Sequence, residues 1–599
     1  MSKLRVSRRA VLAGAASAAS VTALGVSVTP GAAQAADRGH GHGRKDPDLG
    51  PNVFVFDAAT PAADIQAKFD ELFEKQKSNE MGTDRYAVLF KPGAYNVVAK
   101  LGYYTTVSGL GRTPGDTAIT GAVSVVGYPD PTVPSGISAL TNFWRSAENL
   151  EVTPTDWSNQ WAVSQAAPLR RVHIKGTLWL EPGNGGYSSG GYLADSKVDG
   201  VTINGSQQQW ITRNSELGGA WTNGVWNQVF SGVLGAPAAD YPTNPYTVLP
   251  TSPVTREKPY LYVDADGDYR VFLPALRHDT AGTSWGSGKP EQGTSVSLDS
   301  FFIAKPSHHA WEINLALALG KNLLLTPGVY RLDRALRVLR PNTVVLGLGM
   351  PSLTTDSGDA VLRVADVDGV RLAGFLVDAG KRSSDTLIEI GDRFSHRDHS
   401  RNPISLQDIF VRVGGPWAGK AKVSFTVNAA DTLIDNIWAW RADHGEGFGW
   451  TVNTADTGVI VNGDDVTAYG LFVEHYQKYQ TIWNGERGRT IFYQSELPYD
   501  VPSQAAWQHA GVKGWASYKV ADRVHKHEAW GLGAYAYFNQ GVDIREERAI
   551  EVPVKKGVVF HDAVTVFLNG SGGIEHTIND AGTATVGVFG TSYVVRYPA

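Results

Sequence analysis

Short apolar and β-branched runs alternate with polar turns through the second half of the chain. Three of these runs are residues 458–462, 466–473 and 490–494. Runs of this length, separated by polar turns, are typical of successive β-strands and are too short for a helix. The pattern therefore predicts a region in which one short strand follows another.

Carboxylates recur at nearly constant spacing in the same region. Asp443, Asp464 and Glu486 follow one another at intervals of 21 and 22 residues, and Glu474 and Glu496 are 22 residues apart. A period of about 20 residues corresponds to one turn of a parallel β-helix, in which equivalent side chains lie ~4.8 Å apart on neighbouring coils. The spacing predicts two columns of carboxylates on one face of such a solenoid.

A related sequence pattern begins twice, at residues 87–111 and again at residues 322–349. Each copy has an apolar strand, a Pro-Gly-x-Tyr turn, further strands and Gly-Leu-Gly, and each follows a helix-like run, at 61–77 and 310–319. The recurrence predicts two β-helix segments. Each leading helix would cover the open end of its coil stack, where backbone groups are otherwise unpaired.

These landmarks divide the chain into segments. We expect a first β-helix segment at 51–235, a β-rich insertion and connection at 236–306, and a second β-helix segment with most of the candidate site at 307–500. Residues 501–599 are expected to form terminal coils or a β-rich end, because the pattern loosens there.

The insertion contains a predicted hairpin at residues 260–274. It would turn near Asp266 and Gly267, between two apolar runs. Asp264, Asp266 and Asp268 alternate as in a calcium loop, but the distal Glu of that motif is missing, so a turn is the primary interpretation. We expect no cofactor, and a structural calcium ion stays open.

Composition favours an all-β protein punctuated by glycine. Charged residues make up 19% of the chain, aromatic residues 10%, and Gly occurs 66 times. The formal net charge of −5 gives no indication of a nucleic-acid partner. The 17 Trp and 23 Tyr residues suit a sugar-binding surface, although packing explains many of them equally well.

The N-terminus has the pattern of a targeting segment. Arg8 and Arg9 precede a small-residue apolar run at 10–28 and an Ala-x-Ala site at 33–35. We expect a twin-arginine signal peptide at 1–35, a flexible linker at 36–50, and a secreted, extracellular protein. No other stretch is apolar enough to span a membrane, and the absence of Cys suits a route that exports folded proteins.

The clustered acids suggest glycoside hydrolysis, which needs one protonated carboxyl group and a second group that holds a water. Asp464 and Asp465 follow Asn462 and Gly463, so a polar turn explains them well. Glu474 and Glu496 lie instead in or beside aromatic-rich strands, where a carboxylate is costly unless it is paired or functional. An ordinary ion pair stays open for each.

Long strings in this sequence resemble glycoside hydrolase family 55, the bacterial and fungal β-1,3-glucanases or laminarinases. They are LFKPGAY, SAENL, WAVSQAAPLRRVHI, SQQQWITRNS, NGVWNQVFSG, REKPYLYVD, GLFVEHYQKYQTIWNGE and TIFYQSELPYD. The resemblance spans nearly all of 51–599. It implies two right-handed parallel β-helices side by side, an inverting mechanism and mostly exo-acting hydrolysis of neutral β-1,3-glucan such as laminarin.

The same resemblance implies roles for single residues. Glu496 is similar to the family's general acid, and Glu474, with Gln165 and Ser189 reaching across from the first segment, is assigned to the side that holds the water. Candidate sugar contacts are Asp443, His444, Trp450, His475, Tyr476, Tyr479 and Trp483. We expect no metal in the site, a polysaccharide as partner, no nucleic acid or membrane, and a monomer.

Other classes of protein stay open. Asp443, Asp464 and Asp465 imitate the acids of a polygalacturonase, although the Gly-His-Gly and Arg-x-Lys motifs of that family are missing downstream. A β-helical α-1,3-glucanase would use a similar trio of acids. A non-catalytic polysaccharide-binding surface protein is also compatible, because solenoids serve that role and fold alone does not decide function.

Overall fold

The computed structural model describes residues 46–286, 288 and 290–598. The predicted signal peptide and residues 36–45 of the predicted linker lie outside this part. Residues 46–50 belong to the folded body, because Leu49 is buried and Lys91 Nζ lies 3.0 Å from Asp46 Oδ1. The linker prediction is therefore wrong for these five residues.

Helices lie where the sequence predicts them. Helix α1, Ala62–Gln76, buries Ile65, Phe69 and Leu72, and the Phe69 ring stacks on Phe90 with centroids 6.1 Å apart. Helix α2, Ala310–Ala318, precedes the second group of coils. Single 3-10 turns are found at Pro114–Asp116, Leu298–Ser300 and Gln504–Ala506. Among the described residues, no helix is both long and apolar enough to cross a membrane.

The first stack of coils, residues 53–249, consists of two parallel sheets. The larger sheet contains Val53–Phe56, Tyr86–Phe90, Gly93–Lys100, Thr105–Gly109, Thr117–Ser124, Arg145–Pro154, Leu169–Ile174, Tyr192–Ala194, Lys197–Val198, Gln209–Arg213, Glu216–Leu217, Asn227–Ser231 and Tyr246–Leu249. The smaller sheet contains Ser158–Gln160, Thr177–Trp179, Thr202–Ile203 and Trp221–Thr222. A short antiparallel pair, Tyr128–Pro129 and Ile137–Ser138, lies outside them.

The second stack, residues 301–597, also consists of two sheets, which are parallel except that the last strand, Gly590–Tyr597, is antiparallel to its neighbour. Its larger sheet contains Phe301–Ala304, Asn322–Leu325, Val329–Leu332, Val344–Gly347, Ser352–Thr355, Arg371–Asp378, Ser405–Val413, Leu433–Arg441, Thr467–Glu474, Gly488–Glu496, His527–Phe538, Val558–Gly570 and Gly590–Tyr597. Its second sheet contains Leu336–Val338, Leu362–Val364, Ser384–Ile390, Ala421–Val427, Ala455–Val461, Thr481–Trp483, Tyr518–Val520 and Ile550–Glu551. Ile544–Glu546, Gly572–Ile574 and Thr585–Val586 form a small sheet, and Gln508–His509 pairs with Val512–Lys513.

The coils of the second stack are in register. Ile409, Ile437, Leu471, Tyr493 and Leu532 pair in sequence across five neighbouring strands and are all buried. Equivalent residues recur on successive coils, so apolar columns fill the interior of the solenoid. The parallel β-helix predicted from the spacing of acids is confirmed.

Residues between the stacks form antiparallel structure. Ser252–Arg256 pairs with Leu276–Thr280, and Tyr260–Val263, Tyr269–Pro274 and Gly293–Ser297 form a three-stranded sheet. The predicted hairpin is confirmed. Its turn is closed by Asp264, whose Oδ1 accepts hydrogen bonds from the backbone N–H groups of Asp266 and Asp268.

An aromatic interface joins the two stacks, which belong to one compact unit. Phe143 and Trp144 of the first stack pack on Trp438 of the second, with ring centroids 4.7 and 5.6 Å apart. Rings from both stacks continue this buried cluster. The outer surface of one solenoid is thus the packing surface of the other, and both faces of the strands in between are covered.

Buried ion pairs cross the same interface. Arg170 Nε lies 2.8 Å from Asp408 Oδ2, and Asp435 Oδ2 lies 3.0 Å from both Arg170 Nη1 and Arg213 Nη2. Arg213 also binds Glu257 at 2.7 Å. Charges removed from water this completely are tolerated only when they are paired, so the network specifies how the stacks dock.

Candidate active site

A cavity of about 710 Å³ opens between the stacks. Its first-stack wall consists of Leu140, Thr141, Tyr187, Ser189, Ser206, Gln208, Val225 and Trp226. Its second-stack wall consists of Asp443, His444, Glu496, Tyr499, Tyr537, Leu568, Asn569 and Phe589. The volume and the mixture of aromatic rings with a few polar groups are typical of a ligand site.

Glu496 ends the strand Gly488–Glu496 and reaches the cavity, with 14% of its side chain exposed. Its carboxylate accepts hydrogen bonds from the Tyr499 hydroxyl and, at 3.2 Å, from Gln494 Nε2. Burial raises the pKa of Glu496 above its ordinary value, and the charge of Asp443 acts in the same direction. His475, whose Nε2 lies 3.9 Å from Glu496 Oε2, opposes this effect on the pKa. Glu496 therefore holds its proton to a higher pH than an exposed glutamate.

Glu474 ends the preceding coil's strand, Thr467–Glu474, in a register that pairs Phe472 with Gln494 and continues toward Glu496. It is only 2% exposed and does not line the cavity. Its Oε1 accepts a hydrogen bond from Gln165 Nε2 and its Oε2 one from Trp438 Nε1, both at 2.8 Å. Burial, followed by the charge of Glu496, holds the pKa of Glu474 well above its ordinary value. Ionisation of Glu496 therefore makes ionisation of Glu474 less favourable, so the two carboxyl groups titrate as a pair.

The two first-stack residues assigned to the site also lie here. Gln165 is buried and crosses the interface to Glu474. Ser189 lies in the cavity wall, where its hydroxyl accepts a hydrogen bond from Gln209 Nε2 at 3.0 Å and its backbone N–H donates to Ser164. All four residues assigned to catalysis from the sequence are thus in one neighbourhood, with Glu496 and Ser189 in the wall and Glu474 and Gln165 behind it.

Asp443 and His444 form a charged group at the cavity. His444 Nδ1 lies 2.9 Å from Asp443 Oδ1, and its Nε2 lies 2.7 Å from Oε1 of Glu80, a first-stack residue. Burial opposes the imidazolium charge, but these two carboxylates raise the pKa of His444 to about 10. Burial would likewise raise the pKa of Asp443, but His475 and His444 hold it well below its ordinary value. Asp443 is therefore ionised at a pH at which Glu496 tends to stay protonated, and such a separation between the pKa values of two neighbouring acids suits acid catalysis.

Several predicted sugar contacts lie elsewhere. Tyr476 and Trp483 are completely buried in the core of the second stack, so no polymer can reach them, and their prediction is wrong. Trp450 packs against the apolar cluster beside the cavity but is not part of its wall. Tyr479 binds His509 Nε2 at 3.0 Å and is also outside the wall. His475 is also outside the wall. It lies beside Glu496, and its Nδ1 is 3.1 Å from the carbonyl oxygen of Leu497.

One predicted column of acids is also incorrect. Asp464 and Glu486 are neighbours on successive coils, because Glu486 N donates to Asp464 Oδ1 at 2.8 Å. They precede their strands, whereas Asp443 follows the strand Leu433–Arg441 and so lies at the opposite end, in the cavity. The alternative interpretation of Asp464 and Asp465 as a turn is confirmed, since both bind Arg487 on the surface.

The sequence did not identify the aromatic wall of the cavity. Tyr187 and Trp226 come from the first stack, and Tyr537 and Phe589 from near the C-terminus. Tyr499 could have been found, since it follows Glu496 by three residues in the string SELPYD. Within the described residues, no group of three or more His, Asp or Glu side chains is arranged to hold a metal ion.

Comparison with known proteins gives consistent matches. The family model described as the LAM55 pectate lyase-like domain matches residues 301–496. An exo-β-1,3-glucanase of Streptomyces sp. (strain SirexAA-E / ActE) is 54% identical over 579 residues, which cover 96% of this chain and 93% of the relative.

Solved structures agree with this match. The structure of sacteLam55A from Streptomyces sp. SirexAA-E is 54% identical and superimposes with a TM-score of 0.89 over 92% of this chain and 99% of that one. A Glu-to-Ala variant of sacteLam55A in complex with glucose matches to the same extent. Identity at this level along nearly the whole chain shows that this protein belongs to glycoside hydrolase family 55 and is a glycoside hydrolase.

Proposed function

We propose that the protein hydrolyses β-1,3-glucosidic bonds of β-1,3-glucan, releases glucose from the chain end and inverts the anomeric configuration. The observation that carries the proposal is Glu496, a carboxyl group with a raised pKa in the wall of a large cavity that also holds the ionised Asp443. The 54% identical relative named exo-β-1,3-glucanase supports the choice of bond and of exo action.

The lining of the cavity favours a neutral sugar over a uronate. Among its described residues there is no Lys or Arg, and the cation that is present, His444, is already paired with two carboxylates. A polyuronate needs cationic partners for its carboxylates. A neutral glucan needs instead aromatic faces and hydrogen-bonding groups, which this wall supplies.

In the proposed mechanism Glu496 is the general acid. Its proton passes to the glycosidic oxygen as the bond from that oxygen to the anomeric carbon breaks, so the leaving sugar departs as a neutral alcohol. The hydrogen bonds that Tyr499 and Gln494 donate fix the position of the carboxyl group, and the same two groups donate to the carboxylate that remains after the proton has left. Both hydrogen bonds stabilise the charge that develops on Glu496 in the transition state.

The water is assigned to the side of Glu474. Ser189 would hold the water at the wall. The water oxygen would form the new bond to the anomeric carbon, and the proton that this water loses would pass to the Glu474 carboxylate, whose two oxygens accept hydrogen bonds from Gln165 and Trp438. The mechanism requires the single proton of the pair on Glu496 before the reaction and on Glu474 after it. The two donors stabilise the Glu474 carboxylate before the reaction, and burial, which holds the pKa of Glu474 well above its ordinary value, favours its protonated form afterwards. The count of protons on the pair is then unchanged by one turnover.

Product analysis on laminarin tests the proposal. We expect glucose as the main product from the earliest times, and proton NMR should detect α-glucose first, since inversion of a β-linkage gives the α-anomer. A ladder of oligosaccharides would contradict exo action, and β-glucose would contradict inversion. Glucose release from α-1,3-glucan or polygalacturonate, with none from laminarin, would overturn the proposed substrate.

We also propose export, which rests on the sequence of residues 1–35. A polysaccharide cannot enter a cell intact, so an enzyme that degrades it acts outside. Replacing Arg8 and Arg9 by Lys should keep the protein inside the cells, and the secreted wild-type protein should begin at Ala36. An unprocessed N-terminus on the secreted protein would contradict the cleavage site.

A further inference from the structure

Two tryptophan rings contact each other at a tilt on the outer surface of the first stack. Trp157 precedes the strand Ser158–Gln160, and its ring centroid lies 4.8 Å from that of Trp179, at an interplanar angle of 48°. Trp157 is 55% exposed, whereas Trp161 and Trp210 of the same stack are completely buried. Trp157 therefore contributes little to the core, and together with the half-buried Trp179 it offers an angled apolar surface to solvent.

The pair lies on the smaller sheet of the first stack. In its register Gln160, Trp179, Ile203 and Thr222 are neighbours on successive strands and all are half-buried, so they form one outward-facing row. The chain then passes from these strands into loops that line the cavity, at Tyr187, Ser206 and residues 225–226. The loops that follow the strands of this row therefore enter the cavity wall.

A chain of hydrogen bonds connects the pair to the cavity wall. Trp179 Nε1 donates to Glu181 Oε1 at 3.4 Å, and Glu181 Oε2 accepts from both the backbone N–H and the hydroxyl of Ser206 at 2.8 Å. Ser206 belongs to the wall. Glu181 thus fixes the Trp179 ring at the rim, and the aromatic surface begins where the cavity ends.

We propose that Trp157 and Trp179 form a remote subsite that binds the part of a β-1,3-glucan chain extending out of the cavity. The inference rests on the proposed function, since the cavity must hold the end of the same chain. The C–H faces of glucose pack on indole rings as other apolar surfaces do. The tilt between the rings suits a chain that turns from one glucose to the next, as β-1,3-glucan does, better than a flat ribbon.

Chain length is the variable that tests this subsite. The variant Trp157→Ala removes an exposed ring, and its kcat and KM should match the wild type on laminaribiose and laminaritriose. On long laminari-oligosaccharides we expect KM to rise roughly tenfold, the loss of one good apolar contact, with kcat unchanged. Trp157→Phe should restore most of the loss. The matched control is Trp311→Ala, which removes a ring that is 53% exposed on helix α2, and it should change kcat and KM on neither the short nor the long oligosaccharides.

Binding measurements separate this inference from the proposed function. In a Glu496→Gln background, calorimetry with a long laminari-oligosaccharide should give roughly tenfold weaker binding when Trp157→Ala is added. Equal binding with and without Trp157, in an enzyme that does cleave laminarin, would overturn the subsite alone. Equal losses on short and long chains would also overturn it. A wild-type protein that neither cleaves nor binds laminarin would overturn the proposed function first.

Discussion

The replacement Glu496→Gln tests the acid role most directly. The amide has the shape of the carboxyl group and keeps an oxygen for the hydrogen bond from Tyr499, so the wall of the cavity should be preserved. What is lost is the proton that Glu496 would give to the leaving oxygen. A positioned general acid is worth about 10²–10⁴ in rate, or about 3–5 kcal/mol of activation free energy, so kcat on laminarin should fall by that factor.

The assay uses two leaving groups. A β-glucoside of a strongly acidic phenol needs no protonation as it departs, so Glu496→Gln should cleave it at nearly the wild-type rate while failing on laminarin. The pH profile gives a second measurement. Since burial raises the pKa of Glu496, the wild-type rate on laminarin should stay high above the ordinary glutamate range and fall only as pH rises through this raised value. The variant should lack this alkaline limb.

The control is Glu528→Gln, the same substitution on a strand of the same sheet, where the carboxylate faces His561 on the surface at 3.4 Å. It should leave both activities unchanged. Equal losses on laminarin and on the activated glucoside after Glu496→Gln would refute the acid role, because a group needed only for leaving-group protonation cannot affect both. Full activity on laminarin would refute it outright.

Stability of the same variant has a defined sign. A carboxyl group whose folded-state pKa is raised stabilises the fold at low pH, and this contribution is lost as pH rises through the raised value. At neutral pH the raised pKa of the buried Glu496 is therefore a cost to stability, and Glu496→Gln should unfold at the same or a higher temperature than the wild type. A large fall in the midpoint would indicate a disturbed fold, and the kinetic result could not then be assigned to the proton.

Two further predictions concern the interface and the mouth of the cavity. Asp435→Asn removes a carboxylate that two buried arginines each contact at 3.0 Å, so we expect the free energy of unfolding, measured by heat or urea, to fall by about 3–5 kcal/mol. The control Asp543→Asn, on the surface, should lower it by less than about 1 kcal/mol. Similar losses for both variants would contradict a role of the network in docking. Phe589→Ala removes an exposed ring from the cavity wall and should raise KM for laminari-oligosaccharides severalfold. The same replacement at its exposed neighbour, Val588→Ala, should leave KM unchanged. If Phe589→Ala has the wild-type KM, Phe589 does not bind substrate.

The sequence predicted the coil architecture well because its signal is local and repeated. A spacing of 22 residues between Glu474 and Glu496 is the length of one coil, and it brings the two residues to equivalent positions. The turn at Asp464 and Asp465 could also be inferred, from the Asn-Gly that precedes it. These features depend on the chain's own periodicity and not on what packs against it.

The direction in which each side chain points could not be inferred in the same way. Every residue of the strand Thr467–Glu474 is buried, since one face contacts the solenoid core and the other contacts the first stack. A strand covered on both faces has no alternation of apolar and polar residues, so the sequence does not reveal which side is which. Tyr476 and Trp483, which are predicted to contact the sugar, lie beyond this strand and are buried in the core of the second stack; an aromatic side chain alone does not distinguish packing from sugar binding.

The interface between the stacks also decides the chemistry of Glu474. Its carboxylate is buried because the first stack covers it, and one of its two hydrogen-bond donors, Gln165, comes from that stack, while Trp438 belongs to its own. The raised pKa of Glu474 therefore exists only in the docked pair of solenoids, since separation would expose the group to water. Neither solenoid alone contains a cavity wall with Ser189 on one side and Glu496 on the other. Docking of the stacks is thus part of the proposed catalytic apparatus, which explains why so costly a set of buried charges lies where the stacks meet.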